Sequence, residues 1–507
     1  MRRTLIVWVV LLGVLGTIAG VGVTFWQLKR TEAALGARPT KADLDAADRA
    51  RRAAADQPPD PWPNPHPWWK RTTIDAYDAA TGPRVWPGGR RAIVAFARDL
   101  SGDPTADGTA CDVVLTATDA AADFDCDDPL LLYVRWLYLE DLDRWGNEPF
   151  PKRSARRSAA LAAERFMTDA KYPAYWRCLG LLAGARALAE TPGVGGKDVP
   201  NARGPEFAKA AVGLFPAALA DADLPSGALT RLVRRAAEVN APDGSPAVDA
   251  LMQAFDGSAA RPSAKQTAWG EYHIKMAWAA RGSGYANTVT SEGWRLFRRS
   301  LDVAKENLEA AYAADPTDAE AATLMITVAM GAGLPREEME RWYARAEKAR
   351  PGNEMAARAK LLYLQPKWHG SPEDVDAFMT ELGNPPEGGP TRLAAVCADV
   401  LWEAEWRRPR ARGETGDWFG YDAPGWERLK RAYERYLDRT PDDHYHRSRY
   451  AMAAWRAGDT ELAKAQLAKT GGRYSRRVFT DPQASQLKGA PTKRRQPAPA
   501  APSERDV

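Results

Sequence analysis

Residues 308–322 read LEAAYAADPTDAEAA, and 35 residues later 343–357 read YARAEKARPGNEMAA. Ala311, Ala314, Pro316, Ala321 and Ala322 recur as Ala346, Ala349, Pro351, Ala356 and Ala357. Self-similarity at such a period marks a supersecondary unit that buries its apolar face only against the next copy, which points to a stacked array. Small residues at these places let paired helices approach closely. The proline marks the turn before the next pair, because the residue preceding it disfavours the α region. A third copy is read at 433–447 (YERYLDRTPDDHYHR), with Pro441 at the turn. After it come Ala451, Ala454 and a Gly458-Asp459 turn leading into Leu462, Ala463 and Leu467. The rival is a generic helical bundle in which the prolines coincide.

The surrounding periodicity is helical. Trp294, Phe297, Leu301, Ala304, Leu308 and Ala311 recur at spacings of three and four, one apolar stripe that Asp315-Pro316 stops. The next helix carries Ala322, Met325, Ile326, Ala329 and Met330 and is expected to break at Gly331 and Gly333. Another opens with Pro335, has Glu337 and Glu338 in its first turn and Lys348 and Arg350 near its end. Its buried face should be Met339, Trp342, Tyr343 and Ala346. A period of about 34 residues with alanine five before proline is the tetratricopeptide pattern. The match is partial, since the large aromatic and the glycine of each first helix are mostly replaced. Strand signals are almost missing; the exception is the brief Asp112 to Thr118. The expected fold class is all-α: a tetratricopeptide-like α-solenoid of stacked helical hairpins behind a single N-terminal transmembrane helix.

That last element rests on the first 30 residues. Arg2 and Arg3 precede an uncharged run from Leu5 to Leu28, closed by Lys29 and Arg30. As a helix the run would rise about 36 Å, enough to cross a hydrocarbon core of about 30 Å. Trp8 and Trp26 sit near its ends, where amphipathic rings prefer the interface. A cleaved signal peptide is the competing reading, with an apolar core of only about 7–15 residues. Arg2 and Arg3 favour a cytoplasmic N-terminus, whereas Lys29, Arg30, Arg38 and Lys41 weaken that bias. Long domains translocate largely regardless of charge, so the bulk of the chain is expected to be extracytoplasmic, in the periplasm.

Beyond the anchor (1–30), a juxtamembrane helix and Pro-rich linker is read over 31–69. Six prolines from Pro58 to Pro67 force extended or turn-rich chain there, and Trp62, Trp68 and Trp69 are expected to dock onto the adjoining helical region. An N-terminal helical region (70–260), a second helical domain with the repeat pair (261–390) and C-terminal helical repeats (391–480) come next. A Pro-, Ala- and Lys/Arg-rich tail (481–507) is expected to be disordered. None of Cys111, Cys126, Cys178 and Cys397 forms a CxxC pair, which argues against a structural zinc site. Cys111 and Cys126 could be bridged in an oxidising compartment, or all four could be buried thiols.

Signs of chemistry are few. Among 507 residues, 70 Lys plus Arg oppose 66 Asp plus Glu, and a net charge of +4 argues against a dedicated nucleic-acid binder. There is no GxSxG, HExxH, Walker A loop or GxGxxG, so no cofactor, metal or catalytic residue is assigned. His444 and His446 beside Asp442 and Asp443 suggest metal ligands less than plain helix-dipole duty. The run Arg407, Arg408, Arg410 and Arg412 reads as a solvated turn rather than a site for an acidic partner. Of the 19 tryptophans, Trp269, Trp278, Trp294 and Trp342 sit at helical spacings and read as core. Trp368 lies on a loop whose Ser371 should cap the helix opening at Pro372; it is either a docking ring or a plug under the turn.

Two segments resemble a known family. Residues 278–290 (WAARGSGYANTVT) and 361–378 (LLYLQPKWHGSPEDVDAF), with the repeat between them, are similar to the bacterial family catalogued as domain of unknown function 4034. The likeness covers roughly residues 265–385, and Lys367 and His369 depart from the usual Arg and Gly. It implies a helical-repeat fold and no established activity. The candidate binding loops are Arg281, Gly282, Gly284 and Tyr285, together with Lys367, Trp368, His369 and Ser371. In the first loop Gly282 or Gly284 should take positive φ, and Thr290 or Ser291 should cap the next helix. The expected function is a membrane-anchored scaffold for a protein or peptide partner. The rivals are a cell-envelope hydrolase housed in 70–260 and a carbohydrate or peptidoglycan binder using exposed tryptophans.

Overall fold

The computed structural model describes residues 65–489 except 82–85, 87, 102–113, 115–117, 119–125, 145–151, 192, 197, 256, 283–285, 384–392, 394–395, 397–423, 442, 473, 476–477 and 480. The apolar run Leu5–Leu28, Trp62, Cys111, Cys397, the Arg407–Arg412 run, Gly284 and Tyr285 lie outside these residues. Among the described residues no helix is long and apolar enough to cross a membrane.

All described elements are helical, apart from an isolated bridge between Asn240 and Pro246. Val114 and Thr118, from the short stretch with strand character, are both helical and both buried.

The first helix, α1, runs as Pro67–Trp69, a π turn Lys70–Asp75, and Ala76–Thr81. Pro67 therefore opens a helix at its first position, where its missing N–H costs nothing. Trp68 and Trp69 are buried and belong to the folded body rather than to a linker. Trp68 Nε1 donates to Asp221 at 3.0 Å, and Trp176 Nε1 donates to the Thr72 carbonyl at 2.9 Å. Then come α2 (Gly89–Ser101), α3 (Pro129–Arg144), α4 (Lys152–Thr168), α5 (Ala174–Glu190), α6 (Arg203–Ala218), α7 (Ser226–Ala236) and α8 (Ala247–Phe255). Helices α3 to α6 pack each on the next. Gly180 and Gly184 of α5 make this possible, since a Cβ would strike Phe166 and Ala163 of α4.

The second half continues with α9 (Pro262–Arg281), α10 (Ser291–Ala314), α11 (Ala319–Ala332), α12 (Arg336–Ala349), α13 (Glu354–Tyr363) and α14 (Pro372–Gly383). Beyond 423 lie α15 (Pro424–Arg439), α16 (His444–Arg456), α17 (Thr460–Lys469) and α18 (Asp481–Gly489). Sequential helices pack together, and α11 also touches both α9 and α13. Helix α18 corrects the expectation of a disordered tail from 481. Ala484 and Leu487, one turn apart, are fully buried against the preceding helices.

The two halves are not separated at 260. Helix α7 packs on α9, and Arg234 reaches Glu271 of α9 at 2.8 Å and Glu320 of α11 at 3.4 Å. Glu320 also accepts from the Thr230 hydroxyl at 2.8 Å.

The repeat copies share their corners. Asp315 and Arg350 end α10 and α12 with φ, ψ of −146°, 85° and −144°, 95°. Asp318, Asn353 and Asp443, which fall at one repeat position, each cap the following helix through the side chain. Ala311 and Ala346 are both buried, as are Ala321, Ala322, Ala356 and Ala357. In the third copy the matching places hold Tyr436, His446 and Arg447, so a polar network replaces close alanine packing. The buried face of α12 is Met339, Trp342, Tyr343 and Ala346, as its spacing requires. Gly331 does not break α11. It lies inside the helix where a Cβ would sit 2.8 Å from Leu301, and Gly333 alone supplies the left-handed cap. Replacing Ala311 or Ala346 with Leu is expected to cost about 1–3 kcal/mol by overpacking, read from thermal or denaturant unfolding. Wild-type stability in both variants would show that the two corners are not equivalent.

Candidate functional site

Helix α9 ends at Arg281 because Gly282 takes φ 73°, with its N–H bonded to the Trp278 carbonyl. Thr290 caps α10, its hydroxyl accepting from Gly293 N–H at 3.0 Å. Trp278 and Trp294 thus fall within a turn of two facing helix ends. Both are half-buried, and Phe297 lies buried beneath them at 5.1 Å from Trp278 and 5.6 Å from Trp294. The Arg281 guanidinium stands 5.8 Å from each indole, a shared cation–π position.

The second loop arrives at the same edge. Trp368 meets Trp278 edge to face at 5.7 Å. His369 Nε2 donates to the Met330 carbonyl at 2.8 Å, and its ring lies 4.7 Å from Tyr363. Tyr363, the last residue of α13, donates to the Leu334 carbonyl at 2.8 Å just past the end of α11, while His369 of the loop serves the Met330 carbonyl inside it. Gly370 is obligatory here, since a Cβ would stand 2.3 Å from the Leu364 carbonyl oxygen. Ser371 and Asp374 form a reciprocal cap: the Ser371 hydroxyl accepts from Asp374 N–H at 3.1 Å and Asp374 accepts from Ser371 N–H at 2.9 Å. Arg336 pairs with Asp374, holding that carboxyl below the ordinary range.

The structure therefore brings Arg281, Trp368 and His369 to one rim, with Gly282 and Ser371 serving as helix-end devices and Lys367 exposed beside them. Trp278 and Trp294 read as core by spacing alone, yet both keep an exposed edge. Their nearness to the Gly282 terminator and the Thr290 cap is the signal that marks them as rim residues, because a helix end is covered on fewer sides than its middle. Trp368 is intermediate between plug and docking ring: it is half-buried and packs against the core.

The remaining candidates fall elsewhere. His446 is buried, with Nδ1 2.8 Å from Asp443 Oδ2, which also accepts from the Tyr436 hydroxyl at 2.6 Å. Burial works to raise the Asp443 pKa, but the His446 charge and the bonds from His446 and Tyr436 outweigh it and keep the carboxyl low. Among the described residues no three His, Cys, Asp or Glu gather as metal ligands. Cys126 and Cys178 are free thiols, both pushed up by burial, Cys126 to about 12. No family model matches the chain, and no curated protein matches it.

Proposed function

We propose that this chain is a membrane-anchored, tetratricopeptide-like α-solenoid that holds a protein or peptide partner at the Trp278–Trp294–Trp368 rim. The rim carries the reading. Three half-buried indoles meet there: Trp278 and Trp294 share Arg281 and rest on the buried Phe297, and Trp368 packs on Trp278. Tryptophan and arginine dominate interface hot spots, because each covers much area at little conformational cost and offers a polar handle. A rim fixed by two helix caps and an obligatory glycine is rigid before any partner arrives, which lowers the ordering cost of binding. Residues of both the 278–290 and the 361–378 segments meet at this rim. The anchor is the apolar run Leu5–Leu28, with the body in the periplasm.

The test starts from membranes holding the full chain, which should resist carbonate extraction. Partner capture from these membranes is followed by affinity measurement with the purified partner. Trp294→Ala should cost about 2 kcal/mol of binding, roughly thirty-fold in affinity. Trp342→Ala empties a buried site away from the rim and should lower stability without changing the affinity of the folded fraction. Equal partner affinity in wild type, Trp294→Ala and Trp368→Ala would refute the rim.

A further inference from the structure

Helices α3, α5 and α7 enclose a second feature, in the N-terminal half. Tyr133, Trp136 and Glu140 occupy one face of α3, and Ala228, Arg231 and Arg235 one face of α7, in matching steps of three and four. The two faces meet level by level. At one level the Tyr175 hydroxyl of α5 donates to the Ala228 carbonyl at 3.2 Å. Further along, the Arg235 guanidinium lies 4.7 Å from the Trp136 ring. Beyond that, Glu140 bridges Arg235 at 3.1 Å and Arg186 at 2.8 Å, and Glu238 meets the same two arginines at 3.0 and 2.8 Å. Tyr133 and Arg231 occupy the level in between.

Every charge at the outer levels is compensated, two arginines against two glutamates. Arg231 is not: among the described residues no carboxylate lies within ion-pair distance of it. Its Nε is shielded from solvent with no acceptor, and so is the hydroxyl of the fully buried Tyr133. The Tyr133 ring lies 5.4 Å from Trp136 and 5.9 Å from Trp176, and Arg231 stands one turn from both Ala228 and Arg235, the residues that meet Tyr175 and Trp136. Buried donors without acceptors are costly and rare in native proteins. Two of them, one cationic, converging beside an unmatched positive charge are complementary to an anion.

We propose that Arg231 and Tyr133 form an internal anion site between α3, α5 and α7, taking a small carboxylate or oxoanion. Arg231 is half-buried and supplies charge and a route from the surface; Tyr133 supplies the inner hydrogen bond. Trp136 and Trp176 pack against the Tyr133 ring.

The test measures thermal unfolding of the full chain against inorganic phosphate or acetate, at constant ionic strength with chloride as the reference. A ligand bound only by the folded state raises the melting temperature with its concentration. The wild type should show that rise with at least one of the two anions, and Arg231→Gln should abolish it. Tyr133→Phe should melt at or above the wild type without anion, because it removes an unsatisfied hydroxyl, and bind the anion about tenfold more weakly. If Arg231→Gln fails to fold, the Tyr133→Phe pair of measurements decides alone. A wild type indifferent to both anions would mean that water alone serves these donors. An anion response unchanged in Tyr133→Phe would equally overturn the site. Neither outcome touches the rim, whose partner affinity is measured separately.

Discussion

Arg234→Ala is expected to destabilise the protein by about 3 kcal/mol, the largest effect of any single charge removal here. The arginine links α7 to both α9 and α11 through Glu271 and Glu320. Glu271 keeps only 3% of its side-chain surface exposed, so truncating its partner leaves a nearly dry carboxylate unpaired. The arginine itself is 32% exposed, which places the cost near the lower end of what breaking a buried pair entails. Replacing Arg234 and Glu271 together by Met and Leu removes the driest carboxylate along with its partner and should recover part of the loss, with Glu320 still accepting from Thr230. Chemical denaturation of the two variants checks this. A single variant as stable as the wild type would mean that the two halves do not depend on this contact.

Asp128→Asn should have an effect that depends on pH. Asp128 caps α3, accepting from Leu131 N–H at 2.9 Å, and its second oxygen accepts from the Tyr172 hydroxyl at 2.6 Å. Burial pushes its carboxyl up to about 6 against the pull of these hydrogen bonds. In the unfolded chain the group releases its proton near about pH 3.9. Between the two values the folded state holds more protons, so stability is fully present below the unfolded pKa and falls as pH rises through about 6. Above that it settles lower by about 3 kcal/mol, two pKa units' worth. Asparagine keeps the cap and carries no charge. The variant should therefore exceed the wild type near pH 8 and converge with it near about pH 4. A difference of equal size at both pH values would assign it to packing instead of the proton.

Helix stops, caps and faces were legible in the amino-acid order because they are decided within one or two turns. Asp315-Pro316 halts α10, Ser371 caps α14, and the α12 face follows from spacing. The repeat was legible for the same reason, since its alanines and prolines act on adjacent corners. Where a helix lands was not legible. The spacing that buries Trp342 leaves Trp278 and Trp294 on a rim, and Gly331 looked like a stop until Leu301 was seen against it. Arg234 lies 37 residues from Glu271 and 86 from Glu320, and nothing local pairs them. Burial of α18, and the packing of Arg235 over Trp136, likewise depend on which surfaces face each other. Local order is set by backbone sterics and short-range hydrogen bonds, which each stretch of sequence carries with it. Exposure, charge pairing and the rim are set by the desolvation of whole helix faces against partners far along the chain, and only the packed structure decides those.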